Sequence, residues 1–181
     1  MSLTDPYRGF DVIGVNKELP IFSTIPRDHY HINARLLPLI EEYRKEHSES
    51  ITTNVVCNWR SDWHVESDDR FNWFNDWILN HVDFLCKYHL QVDNVSFSIA
   101  NEWLMMYESG DYAKYHDHFP FCLSVIYYVD CDENAAPVVF ENQLEVLPEN
   151  GKLIIFPSSV SHEVNQTEGR RVVVSMNLNQ Y

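Results

Sequence analysis

His116 and His118 stand two residues apart, His162 follows at a distance, and Arg171 lies nine residues beyond His162. In an extended strand, residues i and i+2 point to the same face, so His116 and His118 project together and Asp117 projects away. A third imidazole from a distant strand completes one face of a metal site, and His162 is the candidate. Three neutral imidazoles suit zinc, copper, iron or nickel. On an octahedral Fe(II) they leave positions for a chelating co-substrate and for dioxygen. A local bulge that turned Asp117 inward would put a carboxylate in place of His118. Both arrangements stay open, with strand alternation favouring His118.

Arg171 opens an apolar run, Arg171-Val-Val-Val-Ser-Met-Asn177. As a strand, this run carries Val173, Ser175 and Asn177 on the face of Arg171 and puts Arg170 on the other. An arginine directed into a core needs an anion, because an unpaired buried charge is very costly. The planar guanidinium matches a carboxylate with two parallel hydrogen bonds. Tyr127 and Tyr128 end the run Leu123-Ser-Val-Ile-Tyr-Tyr-Val129 and must face opposite ways, so the expectation is that only one enters the core. Tyr128 is the candidate, its phenol needing a partner such as a ligand carboxylate.

These residues need a scaffold. The chain has 181 residues, 45% of them hydrophobic and 14% aromatic, which is enough for one compact domain with a sizeable core. A formal net charge of −14 argues against non-specific nucleic-acid binding and against anionic membrane surfaces. No run of apolar residues is long enough for a transmembrane helix, and the start carries no secretory signal. Cys57, Cys86, Cys122 and Cys131 form no CxxC pair and read as reduced thiols of a cytoplasmic protein, a Cys122–Cys131 bridge remaining open.

Residues 1–27, punctuated by Pro6, Pro20 and Pro26, read as extended, with Ile21 and Phe22 packing down. Ile32, Leu36, Leu39, Ile40 and Tyr43 make an apolar stripe that predicts a helix over Asp28–His47, capped by Asp28 and weakened by Pro38. Phe71, Phe74, Ile78, Val82 and Leu85 predict a second over Asp69–Tyr88. From Val95 the period drops to two. Strands are expected over Val95–Tyr107, Ala113–His118, Leu123–Asp130, Val138–Glu141, Lys152–Phe156, Ser161–Asn165 and Arg171–Leu178, separated by Gly-, Asn- and Asp-rich turns. The fold class that follows is α+β: a helical support over about 28–90, packed on one face of a β-sandwich or jelly roll over about 95–178, all in a single domain.

The same segments resemble the Fe(II)- and 2-oxoglutarate-dependent dioxygenases, in particular their prolyl-hydroxylase-like branch. The resemblance rests on Tyr107-Glu-Ser-Gly-Asp-Tyr112, His116-Asp117-His118, Ile126-Tyr127-Tyr128-Val129, Gly151-Lys152-Leu153-Ile154-Ile155-Phe156, Ser161-His162-Glu163-Val164 and Arg171, in that order. Leu19-Pro-Ile-Phe22 and Phe119-Pro120 also resemble uncharacterised bacterial and viral members. The resemblance implies a double-stranded β-helix of cupin type with Fe(II), 2-oxoglutarate and dioxygen as cofactors and co-substrates, and ascorbate as an accessory. It implies His116 and His162 as metal ligands, and Arg171 with Tyr128 on the far carboxylate of 2-oxoglutarate. Tyr107 would line the co-substrate pocket, with Asn177 and Leu153 on its wall. The implied activity is hydroxylation of a C–H bond in a peptidyl (prolyl) or small-molecule substrate, releasing succinate and CO2. His118 departs from the family's H-x-D pair. Two further readings therefore stand beside this one: a three-histidine dioxygenase that uses no 2-oxoglutarate, and a non-catalytic metal-binding jelly roll. Trp59, Trp63 and Trp73 are candidates for a substrate rim. His64 could line the same groove, and His29, His31, His47, His81 and His89 read as surface or helix-face residues.

Overall fold

The computed structural model of the chain describes residues 19–181, so Pro6 and the rest of the extended N-terminal stretch before Leu19 lie outside the described residues. Two helices precede the long strands: α1 (His29–Glu46) and α2 (Asn72–Phe84). Asp28 does not cap α1. Its carboxylate instead accepts the indole N–H of Trp77 at 3.0 Å, tying the two helices together. Pro38 sits inside α1 without ending it. The expected second helix is shorter at both ends: a 3-10 turn covers Asp69–Phe71, and a π-helical turn covers Leu85–His89.

Among the described residues eleven strands follow as β1 (Phe22–Thr24), β2 (Val55–Val56), β3 (Trp59–Arg60), β4 (Phe97–Tyr107), β5 (Tyr112–His116), β6 (Leu123–Cys131), β7 (Val138–Phe140), β8 (Leu144–Val146), β9 (Leu153–Pro157), β10 (His162–Val164) and β11 (Arg171–Gln180). They form two antiparallel sheets. The larger has the order β1-β9-β6-β11-β4-β3 and the smaller β2-β5-β10-β7-β8. The four strands that the sequence did not announce (β1, β2, β3 and β8) are two or three residues long, too short for a period-two pattern to register.

The larger sheet is buried on both faces. One face packs Leu104, Tyr127 and Val174 against Leu36, Ile40, Phe74 and Ile78 of the helices. The other packs Trp103, Ile126, Tyr128 and Val173 against Val55, Val138, Phe140 and Val164 of the smaller sheet. This corrects the expectation that only one of Tyr127 and Tyr128 enters a core, because both are fully buried. Tyr127 donates its hydroxyl to Asn33 Oδ1 at 2.6 Å under the helices, whereas Tyr128 lies between the sheets. A turn residue holds the helical layer to the sheet. Gly151 has φ +85°, and a Cβ there would meet the His29 side chain at 2.3 Å, so only glycine permits this approach.

Glu102 of β4 is fully buried, and neither carboxylate oxygen has a hydrogen-bond partner among the described residues. Burial pushes its pKa up to about 8, the Asn75 amide opposing and Glu66 and Asp68 adding to the rise. The folded chain therefore keeps a proton between pH 4.5 and 8 that the unfolded chain releases. Its stabilising contribution is complete below the unfolded pKa and is lost as pH rises through the folded one. Glu102→Gln is expected to match wild type near pH 4.5 and to exceed it by about 4 kcal/mol at pH 8. Urea unfolding of both proteins across that range measures the gap. Taking the difference cancels the opposite trend from the buried histidines, whose lowered folded pKa values cost stability as pH falls below 6.5. A gap that stayed constant with pH would contradict this account of Glu102.

Candidate metal centre

His116 ends β5, pairs with His162 of β10 and carries its ring between the sheets. The register shifts between the His162–His116 and Val164–Ala113 pairs, so the extra residue falls at Lys114–Tyr115, before the histidine pair. The bulge that would turn Asp117 inward is therefore in the wrong place. Asp117 is exposed, and its carboxylate accepts the Phe119 N–H at 3.0 Å. The strand stops at His116, two residues earlier than expected. His118 converges on the site from a turn, held by its backbone N–H on the Ser158 carbonyl at 2.8 Å rather than by strand alternation.

One ring nitrogen from each of His116, His118 and His162 lies within 4.8 Å of the others. Small ring rotations bring such nitrogens to the ~3 Å separation of adjacent ligands on an ion held at about 2.1 Å. His116 Nδ1 contacts the Lys114 carbonyl at 2.6 Å, and His162 Nδ1 contacts the Val160 carbonyl at 3.3 Å. Nδ1 thereby carries the proton in both, and the Nε2 lone pair is free for a metal. Burial pushes His118 and His162 down to about 3, with mutual repulsion among the imidazoles adding to it, and lowers His116 as well. All three are neutral at pH 7, as metal ligation requires. The donor set fits a transition metal.

The same cavity contains Arg171. Its register opposite Tyr107 turns it between the sheets, 2% exposed, while Arg170 faces outward and pairs with Asp130. The Arg171 guanidinium lies 4.9 Å from the Tyr107 ring and 5.3 Å from that of Tyr128. Nη1 donates to the Ala136 carbonyl at 2.9 Å, and Nη2 makes only a long 3.4 Å contact to the Tyr128 hydroxyl. Nε has no partner among the described residues. One edge of the fork is thus available for a carboxylate, with the Tyr128 phenol beside it. Burial raises the Tyr107 and Tyr128 pKa values, so both phenols remain protonated at neutral pH.

Other expectations need correction. Leu153 faces the helices, and it is Phe156 from β9 that lines the cavity. Asn177 accepts the Ser124 hydroxyl at 2.9 Å and does not border the cavity. Of the three tryptophans, only Trp63 reaches the cavity. Trp59 is buried under the helices, donating to the His47 carbonyl at 2.8 Å, and Trp73 lies beneath Arg35. His64 is exposed and pairs with Glu66. All four cysteines are free.

Sequence reading missed Arg60. It is fully buried, borders the same cavity as the histidines, and stacks on Trp63 with 3.7 Å between guanidinium carbon and ring centroid. Burial lowers its pKa to about 10, leaving it charged at neutral pH. The only available signal was a cation between Trp59 and Trp63, and a two-residue strand gives no period from which to read its direction.

Two antiparallel sheets thus carry helices on one face and gather three histidines between them. No family model and no curated protein matches the chain at the level of sequence. Solved structures do match its fold. A prolyl hydroxylase from Trichoplax adhaerens, in complex with a hypoxia inducible factor oxygen degradation domain peptide fragment, superposes with a TM-score of 0.66 at 15% identity, over 89% of this chain and 83% of that one. A viral collagen prolyl hydroxylase from Paramecium Bursaria Chlorella virus-1, as its 2OG complex, gives 0.60 at 12% identity over 90% and 96%. A Pseudomonas putida prolyl-4-hydroxylase gives 0.57 at 14% over 88% and 91%.

Proposed function

We propose that this protein is an Fe(II)- and 2-oxoglutarate-dependent dioxygenase that hydroxylates a C–H bond of a peptidyl or small-molecule substrate, and that its two sheets are the double-stranded β-helix of that class. The observation that carries the reading is buried Arg171, which borders the cavity that holds the three histidines and pairs with the Tyr128 hydroxyl behind it. That pair has no role in binding a metal alone. His116, His118 and His162 would hold the iron. Ferrous iron with 2-oxoglutarate and dioxygen supplies the oxidising power for hydroxylation, one oxygen atom entering the substrate and the other the succinate formed with CO2.

The chain's own residues bind and orient. Arg171 would take the far carboxylate of 2-oxoglutarate on its open edge, and Tyr128 would donate its hydroxyl to the same group. Phe156, Trp103, Met105 and Val173 form apolar walls that exclude water and strengthen these charge-assisted contacts. The three-histidine set without a carboxylate favours one rival, a dioxygenase that uses no 2-oxoglutarate. Anaerobic calorimetry with Mn(II) and 2-oxoglutarate, followed by succinate measurement with Fe(II) in air, decides between them. Metal-dependent 2-oxoglutarate binding and slow succinate release without added substrate are expected. Metal binding with no affinity for 2-oxoglutarate would transfer the assignment to the rival.

A further inference from the structure

Arg60 has no part in the function proposed above, yet it is a fully buried cation. Its backbone is fixed on edge strand β3: its N–H donates to Ser50 Oγ at 3.1 Å and its carbonyl accepts from Ile51 at the same distance. The side chain therefore starts from a rigid position opposite Met105, on the cavity side of the sheet. Nη1 donates to the Ser61 carbonyl at 3.0 Å. Nε and Nη2 are buried and have no partner among the described residues. These two nitrogens share one edge of the guanidinium, the side-on edge that receives both oxygens of a carboxylate in parallel hydrogen bonds. With its face held against Trp63 and its third nitrogen occupied, the group presents one open edge.

The charge balance points the same way. Although the chain carries 27 acidic against 13 basic residues, among the described residues no Asp or Glu lines this cavity, and two arginines do. Leaving two buried donors unsatisfied costs about 1–3 kcal/mol each. Water could satisfy such donors, but only an anion neutralises the charge. Arg171 and Arg60 start from different strands. In the larger sheet β4 separates their strands, which puts them about two strand spacings, or ~10 Å, apart. With a divalent metal and 2-oxoglutarate in place, the dicarboxylate offsets only two of four positive charges, because the third ligand position holds a neutral histidine.

We infer that Arg60 is a second carboxylate fork, and that the substrate is a carboxylic acid whose carboxylate docks on its Nε–Nη2 edge and places a neighbouring carbon at the metal. The inference rests on the oxygenase reading above and names its substrate class. A prolyl residue inside a peptide, which offers only amides, does not supply this group.

The test is calorimetry on the full chain loaded with Mn(II) and saturating 2-oxoglutarate, using matched probes: acetate, benzoate and N-acetylproline, each against its own amide. At least one acid is expected to bind tenfold or more tightly than its amide. Arg60→Gln is expected to abolish that preference while changing the 2-oxoglutarate affinity less than threefold. Wild-type protein that binds acids no better than amides overturns the inference, with no variant needed. An Arg60→Gln protein that folds, by circular dichroism, yet loses 2-oxoglutarate as Arg171→Gln does also overturns it, because the fork would then serve the near carboxylate of the co-substrate. The oxygenase reading fails separately, if Mn(II) binds and 2-oxoglutarate does not.

Discussion

His162→Ala is expected to abolish high-affinity Mn(II) or Fe(II) binding, and with it any 2-oxoglutarate turnover, while leaving the fold intact. His162 is the most buried of the three imidazoles, central in the smaller sheet between β5 and β7, and pairs directly with His116. Its removal leaves two neutral ligands, and the remaining pair has no carboxylate to hold a divalent ion by charge. Loss of a group that merely orients a ligand already costs 10–100-fold in metal affinity, so loss of the ligand itself should exceed ~100-fold. Mn(II) titration followed by electron paramagnetic resonance reads this directly. Asp117→Asn is the matched control. Because Asp117 is exposed and caps the Phe119 N–H, its metal affinity is expected to stay within twofold of wild type. If Asp117→Asn loses the metal and His118→Ala keeps it, the carboxylate is a ligand after all, and the turn through His118 must rearrange on binding.

Arg171→Gln is expected to weaken 2-oxoglutarate binding about 100-fold, equivalent to about 2.7 kcal/mol, with metal affinity unchanged. The substitution removes one charge-assisted bidentate contact in a water-excluded site and leaves the histidines untouched. The melting temperature without ligand should hold or rise, because an incompletely partnered buried cation is itself destabilising. Calorimetry with 2-oxoglutarate and, separately, with Mn(II) resolves the two effects. A variant that still binds the dicarboxylate as wild type does would remove Arg171 from the clamp and, with it, the observation that supports the proposed activity.

How much of this was readable beforehand differs by element. The β-branched and apolar runs of β4, β6 and β11 fixed their extent to within a few residues, because each is long and bounded by turn residues. Packing on both faces misled the reading of Tyr127 and Tyr128. Alternation sorts inward from outward only when one face is wet, and here both faces are dry. Arg171 and Arg170 were not separable by register alone, and it is the pairing of Arg171 with Tyr107 that turns it between the sheets. His118 was read from strand alternation, whereas a hydrogen bond from its backbone N–H to Ser158, and not strand geometry, aims it.

The sequence by itself determined the residue types, their order and the strands that bear them: three imidazoles that can share an ion, and a cation on the inward face of an apolar strand. Which side of a two-residue strand faces a cavity is set by contacts distant in the chain, and no local pattern encodes it. Only the tertiary structure could therefore turn Arg60 inward beside the histidines and leave Asp117 in solvent.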